Sequence, residues 1–389
     1  MTLDPAVYLD HAATTPIARE VCEVMLPLLA AGFGNPSSIH ARGRVARNAV
    51  DEARDRVAAA VGCAAREVVF TSGGSEADNL ALRGAVDRRG GGHIVVSAIE
   101  HDAVIKCAED LAALGRATVS VVGCDPRGVV DPEEVAAAVG DETVVVSVML
   151  ANNEVGTIQD VSTISDLVHR RNPRTLVHTD AVQALGKLRL DLDELGVDLL
   201  SVTAHKVYGP KGAGALIVRG GVALTTQISG GGQERARRSG TENVAGIAGF
   251  GAAAALVEAE RESESARLSA LSGRLVELVV TELPDTVVTG AGAPRLPSFA
   301  TFAFPGVESE VLMTLLDRLG LEASGGSACS SGAHMPSHVL AAMGLPPAAA
   351  GGALRLTLGR DTTSEQVDAA AATVVAAVRQ VRAAIPAAI

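Results

Sequence analysis

Lysine and aromatic residues are both scarce in this 389-residue sequence. It has no Trp, two Tyr and six Phe, and its 33 basic residues include only four lysines, Lys106, Lys187, Lys206 and Lys211. The net charge is −12, whereas nucleic acids and anionic membranes require clustered basic residues. The one basic run, Arg235–Arg238, fits a solvated turn or an anion or subunit contact equally well. We therefore expect no direct binding to nucleic acid or to a membrane.

Cysteine is also infrequent, and its spacing excludes two common uses. The sequence contains five cysteines, at positions 22, 63, 107, 124 and 329, without CxxC spacing. Neither a disulfide framework nor a structural metal site is predicted, and a reducing compartment fits better. The N-terminus lacks a signal-peptide pattern, and no uncharged apolar run approaches the ~20 residues of a membrane span. A cytoplasmic protein is expected.

Short apolar runs alternate with helical patterns through the first two thirds of the chain. This rhythm predicts an α/β fold, a mostly parallel seven-stranded sheet covered by helices on both faces. The predicted strands are Val68–Thr71, Ile94–Ala98, Thr118–Val122, Thr143–Leu150, Thr175–Val177, Val197–Thr203 and Ala213–Val218.

The rest of the chain predicts a smaller α+β domain. After an Ala-rich helix near Glu242–Arg261, strands are expected at Phe299–Phe304 and Leu354–Leu358, with helices at Glu308–Leu319 and Ser364–Ala384. We divide the chain into a large domain of residues 15–259 and a small domain of residues 1–14 and 260–389, which carries a cysteine loop at about 324–334.

Lys206 and Asp180 are the most informative pair in the sequence. Each follows a predicted parallel strand, and ligands bind at the carboxyl ends of such strands. A lysine there is most often only a solvated charge. Together with a carboxylate that could tune a cofactor, however, an imine-forming amine indicates pyridoxal 5'-phosphate as the cofactor.

Other polar residues fall at the same edge of the predicted sheet. Thr71–Glu76 (TSGGSE) follows a strand and opens a helix, so Gly74 and Ser75 can hold a phosphate at the helix N-terminus. Such a turn alone is weak evidence, because most merely connect two elements. Four further residues also lie near strand ends: His101, Asn153, Thr203 and His205.

Several ordered motifs give the chain a specific resemblance. They include YLDHAATTP (8–16), FTSGGSEADN (70–79), ANNEVGTIQD (151–160), HTDAVQALGK (178–187), AHKVYGPKG (204–212), RSGTEN (238–243), SGGSACSSG (324–332) and LRLTLGR (354–360). Over nearly its whole length the sequence resembles the cysteine desulfurases, fold-type I pyridoxal-phosphate enzymes related to class V aminotransferases. The length of its cysteine loop is similar to that of the self-sufficient group I enzymes. His11 stands where relatives often carry an aromatic residue.

The resemblance implies a role for each of these residues around the cofactor. It implies that Lys206 binds the cofactor covalently and moves protons, that Asp180 pairs with the ring nitrogen, and that Gln183 donates to the ring hydroxyl oxygen. His101 would stack on the ring as an acid–base group. The phosphate would be held by Gly74, Ser75, Thr203 and His205, and by Thr241 of a second subunit. Asn153 and Arg355 would bind the substrate carboxylate, and Thr241 makes a homodimer the expected assembly.

Cys329 selects the reaction that this resemblance implies. It lies in a Gly- and Ser-rich stretch, which predicts an exposed, mobile loop. The other four cysteines lie in apolar or helical contexts and are expected to be small buried hydrophobes. As a thiolate, Cys329 would take sulfur from L-cysteine, leaving L-alanine and a persulfide for a sulfur-acceptor protein.

The sequence leaves several alternatives open. A related lyase or aminotransferase, such as a selenocysteine lyase, would use the same site, and a non-catalytic sulfur-transfer scaffold could keep the fold. The acceptor could belong to iron–sulfur cluster assembly, which we place first, or to tRNA or DNA thiolation.

Overall fold

The computed structural model describes residues 6–325 and 337–384 and contains three sheets within them. Their strands are β1 Val7–Tyr8, β2 Val68–Thr71, β3 Gly92–Ser97, β4 Ala117–Val122, β5 Thr143–Ser147, β6 Leu176–Asp180, β7 Leu199–Thr203, β8 Gly214–Val218, β9 Val287–Val288, β10 Phe299–Ala303, β11 Leu321–Glu322 and β12 Ala353–Thr357. The largest sheet has seven strands among the described residues, in the order β2-β8-β7-β6-β5-β3-β4. In this sheet β8 runs opposite to the other six strands. The predicted α/β fold with a mostly parallel sheet is confirmed.

Helices cover this sheet and connect its strands. They are α1 Arg19–Ala30, α2 Ala41–Ala60, α3 Gly74–Arg89, α4 Asp102–Ala113, α5 Pro132–Ala137, α6 Val161–Arg171, α7 Leu192–Leu195, α8 Val244–Glu282, α9 Ser309–Arg318, α10 His338–Ala342, α11 Pro347–Ala350 and α12 Ser364–Ala384. Within the described ranges, none of these helices combines the length and the hydropathy that crossing a membrane requires.

The strands of the large sheet are apolar throughout because both of its faces are buried. In β8, for example, Ala215 and Ile217 pack into one hydrophobic cluster, and Leu216 and Val218 pack into another. Alternate side chains of a strand point to opposite faces. A sheet covered on both faces therefore needs apolar residues at every position.

A separate hydrophobic cluster forms around the smaller sheets. It contains apolar side chains of β1, β10, β12, α9 and α12, together with the C-terminal half of α8. The N-terminal half of α8 packs instead against the cluster of the large sheet. One continuous helix thus crosses the predicted boundary at residues 259–260 and contributes to both clusters. The division into two domains stays a prediction.

The topology brings six strand ends to one edge of the large sheet. Strands β3, β4, β5, β6 and β7 are parallel. Strand β2 has the same direction, because it is antiparallel to β8, which is antiparallel to β7. The segments after these strands therefore begin on the same side of the molecule.

Candidate active site

A cavity of about 680 Å³ opens at this edge of the large sheet, and we call it the main cavity. It brings together nearly all the predicted cofactor and substrate residues of the described chain. Its lining includes Gly74, Ser75, His101, Asn153, Asp180, Gln183, Thr203, His205, Lys206 and Arg355.

Lys206 projects from a short 3-10 turn that directly follows β7. This turn, Ala204–Lys206, places the lysine just beyond the strand end. Its ammonium donates hydrogen bonds to the carbonyl oxygens of Ala12 and Ala13, each at 2.6 Å. The lysine is therefore held against the segment that follows β1.

Asp180 is the last residue of β6 and is buried beside the main cavity. Its Oδ1 accepts a hydrogen bond from the Val182 amide at 2.8 Å. Burial raises its pKa above the ordinary value, whereas His101, this amide and Lys206 act in the opposite direction. A cation that approached Asp180 would therefore stabilise its ionised form.

Gln183 lies one turn beyond Asp180 and faces both the cavity and the N-terminal segment. Its Nε2 donates to the Ala12 carbonyl oxygen at 2.9 Å, while its Oε1 is buried without a hydrogen-bond partner. Ala12 thus accepts hydrogen bonds from both Gln183 and Lys206. The second N–H of the amide is the donor that a ring hydroxyl oxygen would need.

Asp78 is a buried carboxyl group that sequence reasoning missed. It lines the main cavity from α3, and its Oδ1 makes no hydrogen bond. Burial and the neighbouring charge of Asp180 raise its pKa well above the ordinary value. Nearby, His178 bonds Ser147 at 2.8 Å and Ser201 at 3.0 Å, and burial lowers its pKa to about 3. A neutral histidine cannot compensate a second negative charge, so burial and Asp180 both favour the neutral form of Asp78.

The first turn of α3 forms a cradle for an anion. The helix begins at Gly74 without a side-chain cap, so its first N–H groups are available at the positive end of a 16-residue helix. A Cβ on Gly74 would lie 2.9 Å from Cγ2 of Val182. Glycine is therefore required for the close approach of this turn to the cavity.

Thr203 and His205 lie beside this cradle. Thr203 is buried, and its hydroxyl donates to the Ala213 carbonyl oxygen at 3.1 Å. His205 Nδ1 is 3.2 Å from the hydroxyl oxygen of Thr14. Burial lowers the pKa of His205 to about 4, with Lys206 and Lys211 adding to the effect. His205 can therefore offer a neutral N–H group but not a positive charge.

His101 caps the N-terminus of α4 with one ring nitrogen. Its Nδ1 accepts a hydrogen bond from the Ala103 amide at 3.0 Å. An accepting nitrogen carries no proton, so in the neutral ring the proton lies on Nε2. Nε2 is therefore the nitrogen through which His101 can exchange protons.

Arg355 extends from β12 and is almost completely buried. Its Nη1 donates to the Asn153 carbonyl oxygen at 2.7 Å, and its Nη2 donates to Asp10 Oδ1 at 2.8 Å. Its Nε and the Asn153 Oδ1 are buried without hydrogen-bond partners. This guanidinium is oriented by two oxygens, and its planar fork of N–H groups matches the geometry of a carboxylate.

Glu154 is a second buried acid that sequence reasoning missed. Its carboxylate accepts a hydrogen bond from Ser337, the residue that caps α10. The Ser337 hydroxyl oxygen accepts the Val339 and Leu340 amides, which leaves its proton for Glu154. Burial raises the pKa of Glu154 to about 7. The start of α10 is therefore fixed to the wall of the main cavity.

Among the described residues, Thr241 is the predicted site residue that does not line the main cavity, and it is exposed. Its predicted contact with a neighbouring subunit stays a prediction. Cys329 lies outside the described residues, between Gly325 and Ser337. Its predicted role as nucleophile therefore rests on the sequence.

The segment before Thr241 contains an unusual turn. Glu234, Arg235 and Ala236 all have positive φ angles, of 47°, 57° and 59°. The carboxylate of Glu234 binds both Nη atoms of Arg54, at 2.8 and 2.6 Å, and accepts the Phe70 amide at 2.9 Å. A buried ion pair thus compensates the strain of left-handed backbone at three non-glycine residues.

The missed residues differ in the signal they leave in the sequence. Ala12 contributes a backbone carbonyl oxygen, which no side-chain pattern marks. Asp78 occupies a helical position that is normally solvated. Asp78, Thr14 and Glu154 nevertheless lie inside the motifs FTSGGSEADN, YLDHAATTP and ANNEVGTIQD, and their polar side chains at such positions could have identified them.

Comparison with known proteins supplies a second line of observation. Residues 7–370 match the family model described as Aminotransferase class-V. A cysteine desulfurase IscS from Dictyoglomus turgidum is 44% identical over 365 residues, which cover 93% of this chain and 92% of that protein. A solved NifS-like protein has a TM-score of 0.90 at 35% identity and covers 96% of this chain and 100% of its own. A structure of SspA in complex with cysteine has a TM-score of 0.80 at 32% identity, covering 90% and 98%.

Proposed function

This chain belongs to the class-V aminotransferase family, and from that premise we propose that it is a pyridoxal-phosphate-dependent L-cysteine desulfurase. Enzymes of this kind convert L-cysteine to L-alanine and retain the sulfur as a persulfide. The observation that carries the proposal is the single cavity that holds Lys206, Asp180 and the uncapped N-terminus of α3.

The described residues fit pyridoxal 5'-phosphate at three points. The open N–H groups of the α3 turn and the Ser75 hydroxyl suit its phosphate. Asp180, buried and bonded at one oxygen by the Val182 amide, suits a protonated ring nitrogen. Lys206 suits its aldehyde, and the unpartnered Oε1 of Gln183 marks polar space still to be filled. When bound, this cofactor supplies an electron-withdrawing ring that stabilises negative charge at the α-carbon of an amino acid.

The substrate would be oriented through its carboxylate. Arg355 presents a buried guanidinium that Asn153 and Asp10 already hold in place. Each of its two terminal nitrogens carries a second N–H, which can donate to a carboxylate without breaking either bond. The side-chain amide of Asn153 would donate a further hydrogen bond. A substrate held in this way cannot rotate away from Lys206.

Two residues would move protons during the reaction. Lys206, once its amine is released, would take the proton from the α-carbon and return protons to the product. His101 would exchange its proton at Nε2, because Nδ1 is occupied by the Ala103 amide. His205 would stay neutral and only hold the phosphate.

Sulfur transfer is assigned to Cys329. Its thiolate would attack the sulfur of the bound L-cysteine, so that a sulfur–sulfur bond forms while the carbon–sulfur bond breaks. The electron pair of the broken bond stays with the carbon, which is then protonated to give L-alanine. The products are therefore one alanine and one persulfide on Cys329.

We further propose that the enzyme is a homodimer. Exposed apolar side chains concentrate in one stretch of the chain: Ile17, Leu26, Leu29, Phe33, Ile39 and Val45. Thr241 is exposed, follows the left-handed turn of Glu234–Ala236, and would complete the phosphate site of the partner subunit. Burial of the apolar stretch would stabilise such a pair.

The persulfide sulfur would pass to an acceptor protein in the cytoplasm, with iron–sulfur cluster assembly as the first candidate pathway. A reducing compartment agrees with the free cysteines Cys22, Cys63, Cys107 and Cys124.

The decisive test follows product and persulfide together. Purified protein incubated with L-cysteine should release alanine, and mass spectrometry should detect one additional sulfur on the Cys329 peptide. Cys329→Ser should abolish both while keeping the visible band of the cofactor and the borohydride-reducible adduct on Lys206. Cys124→Ser is the matched control and should remain active. Alanine release at the wild-type rate by Cys329→Ser would disprove the assignment.

A further inference from the structure

A second, smaller cavity lies next to Lys206, and we call it the lysine cavity. Its volume is about 40 Å³, which is enough for one or a few water molecules. It shares Ala12 and Lys206 with the main cavity. Lys206 therefore separates two spaces, only one of which the proposed reaction uses.

Two lysines are among the ionisable residues that line the lysine cavity. Its ionisable lining residues are His11, Lys187, Lys206, Tyr208, Glu260, Glu264 and Arg360. The two acids already have partners, because Glu260 binds Arg360 at 2.9 Å and Glu264 binds Arg267 at 2.8 Å. Burial raises the pKa of Tyr208 to about 12, so its phenol stays neutral. Two lysines thus face this cavity without a free carboxylate in its lining.

A chain of hydrogen bonds connects these two lysines. Lys187 Nζ donates to the carbonyl oxygen of Gln183 at 3.1 Å. The side chain of Gln183 donates to the Ala12 carbonyl oxygen at 2.9 Å, and Lys206 donates to the same oxygen at 2.6 Å. Both ammonium groups therefore have fixed positions relative to one segment of backbone.

The ionisation of Lys187 reflects its surroundings. Burial of the ammonium, followed by repulsion from Lys206, lowers the pKa of Lys187 to about 8, although the residue as a whole is only partly buried. Burial also lowers the pKa of His11 to about 4; Lys187 adds to this effect, and Asp361 opposes it. His11 is therefore neutral and does not repel the ammonium of either lysine.

We propose that Lys187 is a positioning residue for Lys206. The ammonium of Lys187 disfavours a second positive charge on the reactive amine of Lys206, and its hydrogen bond to the Gln183 carbonyl oxygen holds Gln183 in place. Interaction between two charges is reciprocal, so the repulsion that acts on Lys187 acts equally on Lys206. An uncharged amine is the form that attacks an aldehyde and accepts a proton. The proposal deepens the proposed function, because it depends on Lys206 as the site of cofactor attachment.

The first test removes the charge and follows the cofactor spectrum. In Lys187→Met, the pH midpoint at which the visible band of bound cofactor titrates should rise by about one unit or more, because the protonated form loses a repelling neighbour. Lys187→Arg keeps the charge and should leave the midpoint within about 0.3 units. An unchanged midpoint in Lys187→Met, or equal shifts in both variants, would overturn the proposal.

The second test needs no change at Lys187. Because the chain has four lysines, labelling of lysine Cε with carbon-13 should give four assignable NMR signals. The Lys187 signal should titrate near pH 8 and should move up by about one unit in Lys206→Ala. Titration near the ordinary lysine value of about 10.4, or no response to Lys206→Ala, would refute the coupling. Neither readout depends on turnover, so a protein that fails to desulfurate cysteine can still pass or fail this test.

Discussion

Glu100 is a completely buried carboxyl group behind the main cavity. Its Oε1 accepts hydrogen bonds from the Ser97 hydroxyl at 2.5 Å and the Met149 amide at 2.7 Å, while its Oε2 is buried without a partner. Burial raises its pKa to about 8 from the ordinary value of 4.5. The folded protein therefore keeps a proton on Glu100 that the unfolded chain releases between these pH values.

This difference predicts a pH-dependent contribution to stability. A raised pKa in the folded state stabilises the fold below pH 4.5, and the contribution is lost as the pH rises through about 8, with a slope of up to ~1.4 kcal/mol per pH unit. In Glu100→Gln the free energy of unfolding should therefore fall less steeply between pH 5 and 8. Urea denaturation of cofactor-free protein at several pH values measures this free energy of unfolding. Glu277→Gln, at an exposed position, is the control and should keep the wild-type slope. Identical slopes in wild type and Glu100→Gln would contradict the prediction.

For single residues, the sequence predicted which side chains line the cavity better than it predicted which backbone groups accept hydrogen bonds or which carboxyl groups are buried. The predicted residues from Gly74 to Arg355 line one cavity because polar residues after parallel strands meet at one edge of the sheet. The role of the Ala12 carbonyl oxygen was not predictable, because it depends on where residues distant in sequence place the N-terminal segment. The burial of Asp78 depends on which face α3 turns towards the sheet.

Among the elements, the first turn of α3 offers a precise test of the phosphate cradle. The Cβ added in Gly74→Ala would meet Val182 Cγ2 at 2.9 Å, and a β-branched side chain has little freedom to move. The turn should shift, and cofactor affinity should fall about tenfold or more, as measured by titration of cofactor-free protein. Val182→Ala in the same chain should restore most of the affinity. Failure of this rescue would show that the loss has another cause.

The left-handed turn of Glu234–Ala236 gives a prediction about stability. The Arg54–Glu234 side chains are only 6% and 3% exposed, and removing one member of a buried pair typically costs about 3–5 kcal/mol. Glu234→Ala should therefore lower the free energy of unfolding by several kcal/mol in urea denaturation. The matched variant Glu194→Ala breaks the Arg189 pair, whose side chains are 58% and 62% exposed. It should cost less than about 1 kcal/mol. Equal losses would contradict this account.

Strand positions were predictable because strands buried on both faces are continuous apolar runs, but the length of one helix was not predictable. The Ala-rich helix near Glu242–Arg261 is in fact α8, which continues to Glu282. Its polar middle interrupts the apolar pattern on which the prediction depended. Pairs one turn apart, Arg261 with Glu258 and Arg267 with Glu264, support the helix through that stretch.

For the whole molecule, the proposed dimer predicts that replacing exposed apolar side chains by charged ones separates the subunits and releases the cofactor. Phe33 is 73% exposed and carries the Arg42 guanidinium 4.7 Å above its ring. Phe33→Asp, combined with Leu29→Asp, should convert the dimer to a monomer in light scattering and release cofactor on dilution. Leu114→Asp changes an equally exposed apolar residue at the end of α4 and should have no effect. A stable dimer in the double variant would place the interface elsewhere.

The segment after β1 determines when this active site becomes complete. The Ala12 carbonyl oxygen accepts hydrogen bonds from both Gln183 and Lys206. The Ala12 amide is itself held by a hydrogen bond to the hydroxyl oxygen of Thr357, 345 positions further along the chain. During synthesis on the ribosome, residues 7–14 emerge early, yet the strands that hold them emerge among the last. An arrested nascent chain would therefore leave the lysine without its backbone acceptors, and capture of the vitamin B6 cofactor would wait until translation is nearly finished.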